Sequence, residues 1–199
     1  MSSSKQLMRE FVLTAFFTAA IAVASYISIY VGPVPVTLQT LLVLITALLG
    51  GTKIGLLAVS LYLAMGALGL PFFAGGIGGF AHFAAPSGGF LLGLLPTVLT
   101  ASLFSPVNKR AAKTPLGRSI ALITGALLAS IVLYCCGLPF LKWRLGLSWA
   151  QTLAVGFFPF VLGDLLKMIV AILMAWRFYP KVKNFLFSSP ESHDEHPRS

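Results

Sequence analysis

Long apolar stretches separated by short polar segments dominate this sequence. A helix needs about 20 mostly apolar residues to cross a bilayer, and the pattern offers six candidates. They cover residues 11–31, 36–49, 54–70, 90–104, 119–141 and 149–176. The second and fourth stretches are short, so they cross only if flanking residues join them. We therefore expect an all-α membrane protein with six transmembrane helices, and four or five spans with re-entrant loops are the alternative.

Composition agrees with a bilayer as the main solvent. Of the 199 residues, 57% are hydrophobic and 10% are charged, whereas soluble domains carry about 25% charged residues. The mean hydropathy is +0.92. These values exclude a cytosolic enzyme, a disordered protein and a nucleic-acid-binding domain. The net charge of +9 does not indicate nucleic acid, because the cations lie in short loops and tails, where they report membrane orientation.

The first apolar stretch has some features of a cleaved signal peptide. Lys5 and Arg9 give a positive start, and the segment 22–24 resembles a cleavage site. The apolar run continues to residue 31, however, which is longer than the apolar region of a usual signal peptide. We expect this segment to be retained as the first helix.

The distribution of Lys and Arg predicts that both termini are cytoplasmic. With six spans, two cations fall in outer segments, Lys142 and Arg144, and Lys167 falls within a span. The inner segments hold eleven: Lys5, Arg9, Lys53, Lys109, Arg110, Lys113, Arg118, Arg177, Lys181, Lys183 and Arg198. Such a bias favours the cation-rich side as the cytoplasm. We expect one domain over residues 1–179 and a polar, disordered cytoplasmic tail over residues 180–199.

Asp164 is the only carboxylate between positions 11 and 190, and Lys167 follows it three residues later. Residues spaced i and i+3 share a helix face, and Phe157, Phe160 and Ala171 continue that face. Ionisable residues inside a span are costly and tend to face a cavity or a partner. The stripe therefore predicts the wall of a pocket for a compact ligand with polar groups. The alternative is a salt bridge that only neutralises both charges.

Two outer segments could complete such a pocket. Thr37, Gln39 and Thr40 follow two prolines and offer neutral donors and acceptors, although an ordinary helix start explains them equally well. Residues 71–89 contain many glycines and no Asp, Glu, Lys or Arg. This loop either folds back so that its backbone approaches a ligand or serves as a connector. We expect His82, within the loop, to be structural.

Several motifs are absent from the sequence. It contains no P-loop, no H-E-x-x-H motif and no second carboxylate inside the spans, so we predict no ATPase or hydrolase activity and no enzyme. The adjacent Cys135 and Cys136 lack the spacing of metal ligands. We predict neither a metal nor a cofactor. In the first span Ala15 and Ala19 form a small-xxx-small pair, which lets membrane helices approach closely.

Four motifs together resemble the BioY family, the biotin-specific substrate-capture (S) components of energy-coupling factor transporters. They appear in the same order as in that family, and the resemblance extends over about residues 10–178. The motifs are Val34-Pro35-Val36-Thr37-Leu38-Gln39-Thr40, Gly69-Leu70-Pro71-Phe72-Phe73-Ala74-Gly75-Gly76, Pro86-Ser87-Gly88-Gly89-Phe90-Leu91-Leu92-Gly93 and Gly163-Asp164-Leu165-Leu166-Lys167.

The resemblance implies an S-component-like bundle of six helices in the bacterial cytoplasmic membrane, with a biotin site near the external face. The implied substrate-binding residues are Asp164, Lys167, Phe160, Thr37, Gln39, Phe73, Gly75 and Gly76. It also implies biotin uptake by docking on a transmembrane coupling (T) component with two ATPase subunits, through Ala15 and Ala19. A stand-alone proton-coupled carrier that uses Asp164 is the first alternative, and a ligand-free assembly subunit is the second.

Overall fold

A computed structural model describes residues 2–30, 32–108 and 114–187. The described residues form six α-helices, one short 3₁₀ helix and a two-stranded hairpin. The elements are α1 (Ser2–Tyr26), β1 (Ser28–Tyr30), β2 (Pro35–Thr37), α2 (Gln39–Ala67), η1 (Phe80–Ala84), α3 (Gly88–Leu103), α4 (Pro115–Leu145), α5 (Trp149–Gly156) and α6 (Phe158–Phe187). The prediction of a helical protein is confirmed.

Four of the described helices are long and apolar enough to cross a membrane, whereas the sequence predicts six spans. These four are Ser4–Tyr26, Gln39–Ala67, Pro115–Leu145 and Phe158–Phe187. Helix α3 is apolar but shorter. The difference from six arises at α2 and α3, because α2 covers two of the predicted spans and α3 falls below the length of a usual span.

Helix α2 reverses its direction at Gly51. The backbone there is non-helical, with φ 69° and ψ −171°, a conformation that glycine adopts easily. A Cβ built on Gly55 would lie 3.5 Å from the Cα of Ala47, although residues eight apart in a straight helix are about 12 Å apart. Residues 39–50 and 52–67 therefore pack side by side, much as the separate predicted stretches 36–49 and 54–70 require.

Two predicted boundaries are wrong. The stretch 11–31 does not remain helical, because α1 ends at Tyr26 and residues 28–30 pair with residues 35–37 in an antiparallel hairpin. The stretch 149–176 is not one helix, because Phe157 leaves helical geometry with φ −127° and ψ −63°. Pro159 has no N–H, and in a continuous helix its ring would clash with the carbonyl of Val155 four residues earlier, so a new helix begins beside it.

The end of α6 also differs from the expected domain boundary. The helix continues through Pro180 to Phe187, beyond the tail boundary predicted at residue 180. Residues 188–199 of that tail lie outside the described residues. The boundary at 179 therefore falls inside a helix.

Helix α2 is the centre of the bundle and packs against α1, α3 and α6, while α3 also packs against α4. Its buried side chains include Val43, Leu48, Val59 and Tyr62, each with no exposed surface. The start of α1 and the end of α6 lie at one end of the bundle, where Arg9 approaches the ring of Phe185 at 5.8 Å. The hairpin, η1 and the starts of α2 and α3 lie at the other end.

Candidate functional site

A cavity of about 650 Å³, its open mouth included, lies at the hairpin end of the bundle. Its lining comes from the hairpin, α2, the loop before α3, α3, α4 and α6. The lining residues are Val34, Pro35, Thr37, Gln39, Thr40, Phe73, Ala74, His82, Ser87, Phe90, Leu91, Leu94, Leu133, Tyr134, Phe160, Asp164 and Lys167.

Asp164 and Lys167 form an ion pair in the wall of this cavity. The Lys167 Nζ lies 2.8 Å from Asp164 Oδ1, and the Lys167 side chain is 9% exposed. The Nζ also donates a hydrogen bond to the Thr40 hydroxyl at 3.3 Å. Tyr134 on α4 donates its phenolic O–H to the other carboxylate oxygen, Oδ2. The buried charges are thus balanced inside the protein, and both still face the cavity.

Aromatic rings form the apolar part of the wall. Phe160 is 8% exposed and Phe73 is fully buried. Phe73 stacks on the His82 imidazole with ring centroids 5.2 Å apart, and Phe90 meets Tyr134 edge-on at 6.1 Å. Burial lowers the pKa of His82 below its ordinary value, so the imidazole is neutral at pH 7. The cavity therefore combines apolar walls with one polar cluster, the usual composition of a small-molecule site.

The loop between α2 and η1 is attached to the rest of the bundle through its main-chain carbonyl groups. Three hydroxyls from α1 and β1 donate to it: Ser25 to Phe72, Tyr26 to Pro71, and Tyr30 to Ala74. At the far side of η1, Arg144 Nε donates to the carbonyl of Ala84 at 2.5 Å. The loop therefore folds back over the bundle, which is one of the two interpretations of its glycine content.

Gly75 and Gly76 lie in this loop but are not among the cavity-lining residues. Both have positive φ, 77° and 72°, which favours glycine. A Cβ on Gly75 would lie 2.6 Å from the Tyr30 hydroxyl oxygen. These two glycines therefore permit a turn beside Tyr30, and their predicted contact with a ligand has no support from their position.

The other six predicted binding residues come together around the cavity. Asp164, Lys167, Phe160, Thr37, Gln39 and Phe73 all line it. Their binding of a ligand remains a prediction. Ala15 and Ala19 are exposed on α1, so their side chains are accessible to another helix. Their docking role is likewise a prediction.

Tyr134 is the main site residue that the sequence does not indicate. It lies in an apolar run of α4 without a charged neighbour in sequence, and only the packing of α4 against α6 brings it to Asp164. His82 was expected to be structural and does stack on Phe73, but it also lines the cavity. Gly163, beside Asp164, has nothing within 4 Å of the position that a Cβ would occupy.

Comparison with known proteins shows which family this chain is similar to. The model of the BioY family matches residues 1–184. The chain is 36% identical over 171 residues to "Biotin transporter BioY" of Thermotoga maritima, covering 85% of this chain and 95% of that protein. It is 34% identical over 169 residues to "Probable biotin transporter BioY" of Pyrococcus horikoshii, with coverage of 85% and 95%.

A solved structure has the same fold. It is described as the S-component for biotin from an ECF-type ABC transporter, and it aligns with a TM-score of 0.78 and 28% sequence identity. The alignment covers 88% of this chain and 93% of that one. The resemblance inferred from four motifs is confirmed by these findings, and the chain belongs to the BioY family.

Proposed function

We propose that this chain is the biotin-capturing S component of an energy-coupling factor transporter. The observation that carries the proposal is the match of residues 1–184 to the BioY family. The alignments with two relatives named as biotin transporters cover 95% of the length of each relative. A solved S component for biotin has the same fold. The cavity supports the proposal because its lining combines apolar rings with a few polar groups, as small-molecule sites do.

The polar cluster has complementary chemistry for the two polar ends of biotin. The carboxylate of Asp164 accepts hydrogen bonds, as the N–H groups of a ureido ring require, and the ammonium of Lys167 donates to a carbonyl or carboxylate. Phe160 and Phe73 offer apolar contact to the carbon skeleton. Thr37 and Gln39 supply neutral polar groups at the mouth. Biotin binding replaces some of the hydrogen bonds that Asp164 and Lys167 make within the protein.

The protein is a multi-pass protein of the bacterial inner membrane. In the proposed arrangement six segments cross: α1, the two halves of α2 on either side of Gly51, α3, α4 and α6. Both termini are cytoplasmic in this arrangement. The end of the bundle where α1 begins and α6 ends carries Lys53, Arg118, Lys181 and Lys183, and the cation-rich side of a membrane protein is cytoplasmic. The cavity then opens toward the exterior, where the vitamin is captured.

Transport in this proposal depends on other subunits. The chain has no P-loop, so energy comes from two ATPase subunits that act through a T component. Exposed Ala15 and Ala19 on α1 are the proposed docking residues, since small side chains let helices approach closely. In cells, ATP depletion should abolish biotin uptake, whereas a protonophore with ATP maintained should not. The opposite ranking would favour the proton-coupled carrier.

Titration of the purified protein with biotin tests the function directly. The protein in detergent is titrated with biotin, thiamine and riboflavin by calorimetry, and its melting temperature is followed. Biotin should bind at submicromolar concentration and raise the melting temperature by mass action. The two other vitamins should do neither. Absence of biotin binding by a folded sample would refute the proposal.

A further inference from the structure

A second cluster of interest lies at the end of the bundle opposite the cavity, where α4 begins and α6 ends. The guanidinium carbon of Arg118 lies 4.8 Å from the ring centroid of Tyr179, and the Lys183 Nζ lies 5.8 Å from the same centroid. Tyr179 is 8% exposed, so its position is fixed by packing. Both cations therefore lie against one buried ring.

No carboxylate among the described residues balances these two cations. The ion pairs within residues 2–30, 32–108 and 114–187 are Glu10 with Lys53 and Asp164 with Lys167. The first turn of α4 carries no acidic residue, and its N-terminus adds partial positive charge. Because like charges repel, this arrangement favours an anion from outside the described chain.

Arg118 also has a hydrogen-bonding group without an acceptor. Its Nε is buried and has no hydrogen-bond partner among the described residues. A buried donor left unsatisfied is unfavourable, and the planar guanidinium suits the oxygen atoms of a phosphate. The guanidinium therefore has donor capacity left over for an oxyanion.

We propose that Arg118 and Lys183 bind the phosphate of an anionic phospholipid at this end of the bundle, with Tyr179 as the ring that both side chains contact. The proposal rests on the membrane orientation proposed above, which puts the cluster at the cytoplasmic interface. A lipid is favoured over a soluble anion because the flank of α4 is apolar: Leu116 is 72% exposed and Ile120 is 56% exposed. These side chains would contact acyl chains beneath the bound headgroup.

The experiment compares lipids in the purified full-length protein. Wild-type protein in detergent is titrated with short-chain phosphatidylglycerol, phosphatidylcholine or inorganic phosphate, and lipid retention is read by native mass spectrometry. The variants are Arg118→Gln and Lys183→Gln. Lys181→Gln is the matched control, because Lys181 is an exposed cation of the same helix that lies over Phe178, at 5.6 Å, and not over Tyr179. The melting temperature checks that each variant is folded, and a biotin titration reports on the cavity.

Wild type and Lys181→Gln should retain phosphatidylglycerol in preference to phosphatidylcholine. Each of the two cluster variants should lower phosphatidylglycerol affinity about tenfold or more, because a charge-assisted hydrogen bond to the phosphate is lost, while biotin binding is unchanged. Equal retention by wild type and Arg118→Gln would overturn the proposal. Saturation of the site by inorganic phosphate at the same concentration would also overturn it. So would stronger lipid binding without a preference for phosphatidylglycerol after residues 188–199 are removed.

Failure of biotin binding in wild-type protein would refute the proposed function, and it would leave the lipid result readable. The cluster and the cavity lie at opposite ends of the bundle, so the two titrations report on separate sites.

Discussion

Tyr134 and Asp164 lie on different helices, and the phenol of Tyr134 donates a hydrogen bond to the Asp164 carboxylate. This bond connects α4 to α6 at the cavity wall. Asp164 Oδ1 meets Lys167 at the same time, so both oxygen atoms of the carboxylate are engaged before any ligand arrives. The site is therefore preorganised, and each partner of Asp164 can be tested separately.

Replacement of Asp164 by alanine should weaken biotin binding while the protein still inserts. One or two charge-assisted hydrogen bonds are lost, at about 1.5–3 kcal/mol each, which corresponds to a rise in Kd of roughly tenfold or more. Calorimetry on detergent-purified protein measures this. An unchanged Kd in a well-folded variant would make the Asp164–Lys167 pair purely structural.

Replacement of Tyr134 by phenylalanine isolates the contribution of its hydroxyl group. The ring keeps its edge contact with Phe157, whose centroid is 4.9 Å away, while the carboxylate loses one donor. We expect the Kd for biotin to rise about tenfold or more, because Tyr134 no longer holds the carboxylate in place and a hydrogen bond to a charged group contributes about 1.5–3 kcal/mol. Ser119→Ala, which removes a hydroxyl at the distant start of α4, should leave the Kd unaltered. Equal Kd values for Tyr134→Phe and Ser119→Ala would exclude a contribution of the Tyr134 hydroxyl to biotin binding.

Gly66 should not tolerate a side chain, because a Cβ there would lie 2.2 Å from the ring of Phe73. Phe73 is fully buried, so its ring would have to shift, and the cavity that it lines is the open space beside it. Gly66→Ala should therefore displace a cavity wall, lowering both the melting temperature and biotin affinity. Gly163→Ala is the matched control, since nothing lies within 4 Å of that position. A Gly66→Ala variant as stable as Gly163→Ala would contradict this packing.

The thermal stability of the ligand-free protein should depend on pH through His82. Burial lowers the pKa of His82 in the folded protein, so below about pH 6.5 the unfolded chain binds more protons than the folded one. The melting temperature should therefore fall as the pH decreases from about 6.5. His82→Phe keeps an aromatic ring against Phe73 and removes this titration. Melting curves across pH 5–8 for both proteins measure the difference, and parallel curves would exclude His82 as the cause.

The apolar pattern predicted most of the helices because length and hydropathy are local properties. It located α3 and α4 within a few residues, and it placed Asp164 and Lys167 on one face because helical spacing fixes that relation. It missed the break at Phe157, where Pro159 overrides a continuous apolar run. It gave no indication of Tyr134, because the contact of Tyr134 with Asp164 depends on how α4 packs against α6 and not on any local spacing.

The outer loop is attached through oxygen atoms that every residue type possesses. Ser25, Tyr26 and Tyr30 hold the carbonyl groups of residues 71, 72 and 74, so the side chains of the loop itself take no part in these attachments. Substitutions in the loop can therefore alter which molecules are admitted without detaching it, provided that the glycine turns and the buried Phe73 are kept. Relatives with different vitamin preferences could arise, or be engineered, from this scaffold by changes confined to a few loop positions.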